Sequence, residues 1–179
     1  LDPLGVVGTK EEFKKLSPSL KTSLPANKIP QSLSVISAEQ IKAQGLKRVG
    51  DIIDYTPGVT NSQGEGHRDA AVIRGIRTTQ DFYRDGIRDD VQYYRPLYNV
   101  EQVEVLRGPN ALVSGFGGGY GLINRVSKKA VIGESFNEAS ASVDTFGETV
   151  FSLDSNYELD DEKSLRINMF GENLENHRD

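Results

Sequence analysis

The last quarter of the chain alternates with a period of two. The odd positions Phe151, Leu153, Tyr157 and Leu159 are apolar or aromatic, while Ser152, Asp154, Asn156 and Glu158 between them are polar. After the turn-like run Asp160-Asp161-Glu162-Lys163 the pattern resumes, with Leu165, Ile167 and Met169 set against Arg166 and Asn168. Upstream, Ala139, Ala141 and Val143 alternate with Ser140, Ser142 and Asp144. The alternation predicts three consecutive strands, each near the ~9–11 residues that cross a bilayer as a tilted barrel strand. A water-soluble antiparallel sheet with one wet face produces the same pattern, and on the strands alone that plainer reading is favoured.

Residues 31–130 follow a different rhythm of short strands, helical turns and long loops. Ser32–Ser37 (SLSVIS) reads as a strand. Ser37 then opens SAEQ, a capping box in which the Ser37 hydroxyl accepts from the amide of Gln40 and Gln40 reaches back. The helix runs to about Gln44 and stops at Gly45. Leu46, Val49, Ile52 and Ile53 share one face of a second helical stretch, ended by Pro57-Gly58. AAVIRGI (71–76, with Ala70) reads as a strand, and DFYRDGIRDD as a hairpin with Asp85-Gly86 in a tight two-residue turn. NVEQVEVLRG reads as a strand ending at Gly108-Pro109, after which Pro109 is placed to open a short helix over NALVS. Residues 1–30 are polar and broken by Pro3, Pro18, Pro25 and Pro30, as in an extended arm.

Composition narrows the function classes. The chain has 179 residues with 36% hydrophobic content, ample for one folded domain. A formal net charge of -5 argues against nucleic acid as a partner. The absence of cysteine removes disulfides, thiolate zinc sites and cysteine nucleophiles. No apolar run approaches the ~18 residues of a membrane helix. The chain starts at Leu1 without methionine and stops at Asp179 directly after a strand-like pattern, so a fragment is expected at both ends.

The segment GFGGGYG (115–121) invites a phosphate-loop reading, which its offsets refuse. Gly115 and Gly117 begin a G-x-G-x-x-G, but Tyr120 occupies the sixth position and a strand-like LINRVSKK follows. No lysine stands at the Walker offset, and Leu112 replaces the glycine that a nucleophile elbow at Ser114 needs. His67 and His177 have no second imidazole at ligand spacing. Asp89-Asp90 and Asp160-Asp161-Glu162 read as solvated turns before calcium sites. No catalytic residue, metal or resident cofactor is expected. A hydrolase using carboxylates lacks specific support, and a soluble binding or adhesion module remains the main competitor.

Taken together, the motifs resemble the plug domain of TonB-dependent outer-membrane receptors, closest to the ferric-siderophore branch. IPQSLSVISAEQI is similar to that family's opening strand and helix, and DIIDYTPGVT to its D-x-L-x-x-x-PGV segment. VIRGIRTTQDFYRDGIRDD is similar to its R-G…DG hairpin. VEVLRGPNALVSGFGGGYGLINRVSKK is similar to its VEVL-[RK]-GP…GG-[VL]-I-N-x-V-[ST]-K signature. Two positions depart, Ser114 for the usual tyrosine and Tyr120 for a glycine.

The resemblance implies an α+β fold. A small mixed β-sheet plug with short helices and long loops would be followed by the first antiparallel strands of a barrel of about 22 strands. It implies an N-terminal periplasmic arm over 1–27, the plug over 28–132 and first barrel strands over 133–179. Because three strands cannot close, the barrel portion is expected to be poorly ordered or repurposed without the remainder.

The implied activity is gated uptake of a ferric siderophore at the bacterial outer membrane, with no covalent chemistry. The implied partners are TonB, the ferric siderophore, the chain's own barrel and the outer membrane. Cobalamin, haem and oligosaccharide receptors share the plug and remain alternatives for cargo. Ligand contacts are expected on three loops, NSQGEGHRDA, RTTQ and QYYRPLYN, at His67, Arg68, Gln80, Tyr93, Tyr94 and Arg95. Arg74 and Arg107 are expected to lock the plug to barrel glutamates. Val6 and Val7 in LGVVG are the candidates for adding a strand to TonB. Gly115, Gly117, Gly118, Gly119 and Gly121 are expected to pack closely, plug backbone on itself and against an enclosing barrel, with Tyr120 filling a gap or pointing into the permeation path.

Overall fold

The computed structural model describes residues 28, 31–62, 66–109 and 119–175. Val6, Val7, Gly115, Gly117, Gly118 and the helix expected over NALVS lie outside them.

The opening strand forms as its sequence predicts. β1 (Ser32–Ser37) leads into α1 (Ala38–Ala43), and the Ser37 hydroxyl accepts from the Gln40 amide at 3.3 Å. Gly45, at φ 64°, turns the chain away. α2 (Val49–Asp54) starts on a carboxylate: Asp51 Oδ2 accepts from the backbone amides of Lys47 at 2.7 Å and Arg48 at 2.9 Å. Its apolar side buries Val49, Ile52 and Ile53.

The central sheet has the order β1-β7-β8-β5-β6, built from β5 (Phe82–Arg84), β6 (Ile87–Arg88), β7 (Val100–Arg107) and β8 (Gly121–Ser127). β7 pairs antiparallel with β1 and β8, whereas β5 runs parallel to β8, so the sheet is mixed. One face holds Val103, Val105, Ile123 and Phe82 against Ile41, Val49, Ile52, Ile53 and Ile73. The other holds Tyr83, Leu106 and Leu122 against Leu33. Each such side chain removed from water stabilises the domain by about 1.5–3 kcal/mol.

The segment AAVIRGI does not form one strand. It splits into β3 (Ala71–Ile73) and β4 (Ile76–Thr78), paired antiparallel, and β3 also pairs with β2 (Val59–Asn61). The break falls at Arg74-Gly75, with φ of 51° and 86°, the twin left-handed conformation of a two-residue hairpin turn. The same geometry recurs where it was expected, at Asp85 (φ 52°) and Gly86 (φ 77°) between β5 and β6.

The last three strands are formed and docked, against the expectation of poor order. β9 (Phe136–Val143), β10 (Thr149–Asp160) and β11 (Lys163–Asn173) make an antiparallel sheet of order β11-β10-β9. Polar positions of β10 and β11 face the preceding domain, which packs against that side of the sheet, whereas β9 is exposed from Asn137 to Val143. Asp154 and Asn156 are buried there, while Leu159, Leu165 and Met169 on the other face are 64%, 47% and 56% exposed. A water-soluble sheet would be oriented the other way, with its apolar face inward. No helix among the described residues is long and apolar enough to cross a membrane, which leaves strands that cross one untouched.

Candidate functional site

Two of the three loops that the sequence marks as ligand-facing, the first and the third, meet beside the N-terminus of α2. Asp69, in the first, is buried; its Oδ1 accepts from the Gly50 amide at 3.2 Å and its Oδ2 from the Arg95 amide at 2.8 Å. Arg68 donates to the side-chain oxygen of Gln92 in the third loop. Gln80, in the second, is exposed and accepts from Arg88 through its backbone oxygen at 3.0 Å and its side-chain oxygen at 3.2 Å. His67 is exposed.

Arg95 departs from its expected role. It is 1% exposed, so it has no surface to offer a bulky chelate. Its guanidinium donates to the carbonyls of Asp89 at 3.1 Å, Val91 at 2.6 Å and Tyr93 at 3.2 Å, so the loop curls around it. It lies 3.9 Å over the Phe82 ring and faces Asp89 at 3.5 Å and Asp69 at 3.8 Å. Burial pushes the guanidinium below its ordinary pKa, and Asp89 and Asp69 push it back. Burial likewise raises Asp69, against the Arg95 amide and charge that lower it. A buried charge must be paired, and this pairing sets the loop's shape.

Tyr93 and Tyr94 are held differently. The Tyr93 hydroxyl donates to Asp89 at 2.7 Å and accepts from Arg125 at 2.9 Å, and Arg125 also bonds Asp89. Tyr94 is half-buried beneath the Arg48 guanidinium, 4.8 Å from its ring centroid. Asp69, Arg48 and Arg125 were not singled out from the sequence, and Asp89, read there as part of a solvated turn, is instead paired with Tyr93, Arg125 and Arg95. The available signal was Arg125 itself: a cation in the apolar strand LINRV requires a partner.

Arg107 occupies the far end of β7. It donates to Ser32 Oγ at 2.9 Å, Ser34 Oγ at 2.9 Å and the Pro57 carbonyl at 2.8 Å, tying β1 to the turn after α2. Burial, and then the neighbouring Arg74, hold its pKa below the usual value. Among the described residues neither Arg74 nor Arg107 forms an ion pair with a carboxylate.

The glycine segment is tight at one described position. A Cβ on Gly121 would lie 2.3 Å from the Leu106 carbonyl oxygen and 3.0 Å from Ile73. Gly119 has nothing within 4 Å of an added Cβ among the described residues, and Tyr120 is 51% exposed. No cluster of three histidine, aspartate or glutamate side chains suited to a metal occurs among the described residues.

Comparison with known proteins agrees with this geometry. The family model described as TonB-dependent Receptor Plug Domain matches residues 25–122. The chain is 33% identical over 156 residues to the probable TonB-dependent receptor BfrD of Bordetella pertussis, covering 86% of this chain and 21% of that protein. It is 34% identical over 157 residues to the catecholate siderophore receptor Fiu of Escherichia coli, covering 85% and 20%. The crystal structure of the siderophore receptor PiuA from Acinetobacter baumannii superposes with a TM-score of 0.80 at 33% identity, over 92% of this chain and 24% of that one. This chain thus spans about a fifth of the length of the curated relatives it matches. The mixed sheet, the hairpin motifs and the docked antiparallel strands are those of one family, and the chain belongs to the TonB-dependent receptor plug domain family.

Proposed function

We propose that this chain is the plug and first wall strands of an outer-membrane receptor that takes up a ferric siderophore with work supplied through TonB. The observation that carries the reading is the orientation of β10 and β11. Asp154 and Asn156 on their polar face are buried against the plug, Arg166 and Asn168 beside them are half-buried, and Leu159, Leu165 and Met169 on the apolar face are exposed, as a barrel wall requires when lipid covers one side and a plug the other. The names of relatives add the cargo class: Fiu is a catecholate siderophore receptor, and another relative, 31% identical, is the ferrichrome outer membrane transporter of Escherichia coli.

On this reading His67, Arg68, Gln80 and Tyr94 contact the chelate, with Tyr93 at the edge of the site. Arg95 acts from beneath, through the shape of its loop. Tyrosine offers a flat amphipathic surface, and arginine offers charge and donors, to an anionic chelate. Arg74 and Arg107 meet glutamates of wall strands beyond this chain, since a guanidinium pair without a carboxylate calls for one. Val6 and Val7 contact TonB by strand addition. The domain limits 1–27, 28–132 and 133–179 belong to the same proposal.

The test is growth on defined iron chelates. Deleting the gene should abolish growth on one chelate, and the intact gene should restore it only in cells with functional TonB. Unimpaired growth of the deletion strain on every chelate, with uptake rates unchanged, defeats the reading.

A further inference from the structure

We propose that β9–β11 are the fixed support of the plug. Asp154, Asn156 and Arg166 clamp the exit segment Lys128–Glu134 to the wall, and plug movement during uptake is confined to the opposite end of the sheet. The inference rests on the receptor reading above and adds which side of the plug stays in place.

The clamp is built from inward positions of two adjacent wall strands. The Asp154 carboxylate accepts from Lys128 Nζ at 2.7 Å and from Arg166 Nε and Nη2, both at 2.8 Å. Arg166 Nη1 donates to the Lys129 carbonyl at 2.9 Å. Two residues along β10, Asn156 is fully buried. Its side-chain oxygen accepts from the Val131 amide at 3.0 Å, and its Nδ2 donates to the carbonyls of Val131 at 2.8 Å and Glu134 at 2.6 Å. The carboxamide therefore pairs with Val131 as a neighbouring strand would, holding a segment that belongs to no strand. The bonds of Asp154 to Lys128 and Arg166 are charge-assisted and roughly twice as strong as the neutral bonds of Asn156.

A seam of opposite charges extends the clamp. Lys47 meets Glu148 at 3.2 Å, and Arg48 meets Glu148 at 3.5 Å and Glu172 at 3.6 Å, with every cation from the plug and every acid from the wall. Lys42 and Glu138 repeat the polarity at 2.9 Å, although that pair is exposed and contributes little. Glu101 and Arg166 reverse it at 3.9 Å. Tyr98 stacks on Phe170 with centroids 4.8 Å apart and planes 12° from parallel.

These contacts lie at the Val100 and Ser127 end of the sheet, where the Lys128 amide donates to the Asn99 carbonyl at 2.9 Å. Ser32, Arg107 and Gly121 share the other end, seven residues along β7 and about 23 Å away. The arm over 1–27 enters the plug at that far end, just before Ser32. Work applied through the arm thus enters opposite the clamp, and the clamp is where it is resisted.

The test uses the complete receptor containing this chain, which has no cysteine of its own. Tyr98→Cys and Phe170→Cys put two thiols across the supported side where the rings now stack, and loss of free thiol on oxidation verifies the bridge before uptake is measured. Uptake of a radiolabelled ferric tris-catecholate by the oxidised variant should stay within about twofold of its reduced form. A tenfold or greater loss on oxidation, recovered with reductant, overturns the proposal.

Hydrogen exchange on the receptor in detergent decides the clamp independently of uptake. Asn156→Ala should speed exchange across Lys128–Glu134 at least tenfold while leaving β1 unchanged, with Asp154→Asn as a second variant in case the first does not fold. No acceleration in either variant overturns the clamp. Acceleration of Lys128–Glu134 in the unmodified receptor on adding chelate and the periplasmic fragment of TonB overturns it too. A reduced receptor that takes up no iron chelate defeats the receptor reading instead, and the exchange measurement still stands.

Discussion

An alanine at Gly121 would drive its Cβ to 2.3 Å from the Leu106 carbonyl oxygen, on the neighbouring strand at a hydrogen-bonded register. Backbone cannot yield there as a flexible side chain would. Gly121→Ala is expected to lose about 1–3 kcal/mol of plug stability, the usual range for overpacking, as measured by chemical denaturation. Gly119→Ala, with nothing within 4 Å, should stay within about 0.5 kcal/mol. Asp69 offers a second test. Burial raises its folded-state pKa above the unfolded value of about 3.9, so the folded state holds this proton more tightly. The associated stability is fully present below the unfolded pKa and is lost as pH rises through the folded one. Relative to Asp69→Asn, the unmodified protein should therefore gain stability as pH falls from neutral toward about 4. Thermal unfolding of both proteins across that range checks the sign, and a difference that is flat or falls on acidification contradicts it.

The wall strands carry their information in alternation, and a charge on each face should separate the two environments. Ile167 points outward from β11 and is 40% exposed, whereas Ser164 points inward opposite Glu158. Ile167→Arg is expected to cost about 2–4 kcal/mol if it lies near the bilayer midplane, seen as a reduced folded fraction in lipid vesicles. Ser164→Lys, beside a carboxylate, should fold like the unmodified receptor. Equal folding of the two variants would contradict a lipid-facing outer surface. Such strands were legible because alternation is local, and so was the hairpin at Asp85-Gly86, whose turn chemistry is written in two residues. The hairpin at Arg74-Gly75 was hidden by an arginine in a left-handed conformation that its side chain does not announce. Arg95 was misplaced for a different reason: sequence marks a polar loop residue as exposed, and only the fold shows the loop wrapped around it. The hold of Asn156 on Val131 depends on two segments 25 residues apart and has no local signature.

At the scale of the molecule, the plug is gripped unequally. One end of its sheet is bonded to β9–β11, and the other presents Arg74 and Arg107 without a carboxylate among the described residues. Arg107 serves two purposes in this arrangement. Inside the plug it joins β1 to the Pro57 carbonyl through three donors, and its charge is held in a site where burial and Arg74 both disfavour it. Toward the rest of the barrel, that disfavoured charge is what an acidic wall residue would relieve. Hydrogen bonds from a charged group contribute about 1.5–3 kcal/mol each, so losing even one should raise exchange in β1 roughly ten- to a hundredfold. Arg107→Ala in the complete receptor is therefore expected to accelerate exchange across Ser32–Ser37 while Lys128–Glu134 keeps its rate. Arg107→Lys separates the two purposes, since lysine retains the charge but cannot reach three acceptors in the same fork. It should restore part of the protection if a wall carboxylate contributes, and none if only the internal bonds matter. Unchanged exchange in Arg107→Ala would remove the lock altogether.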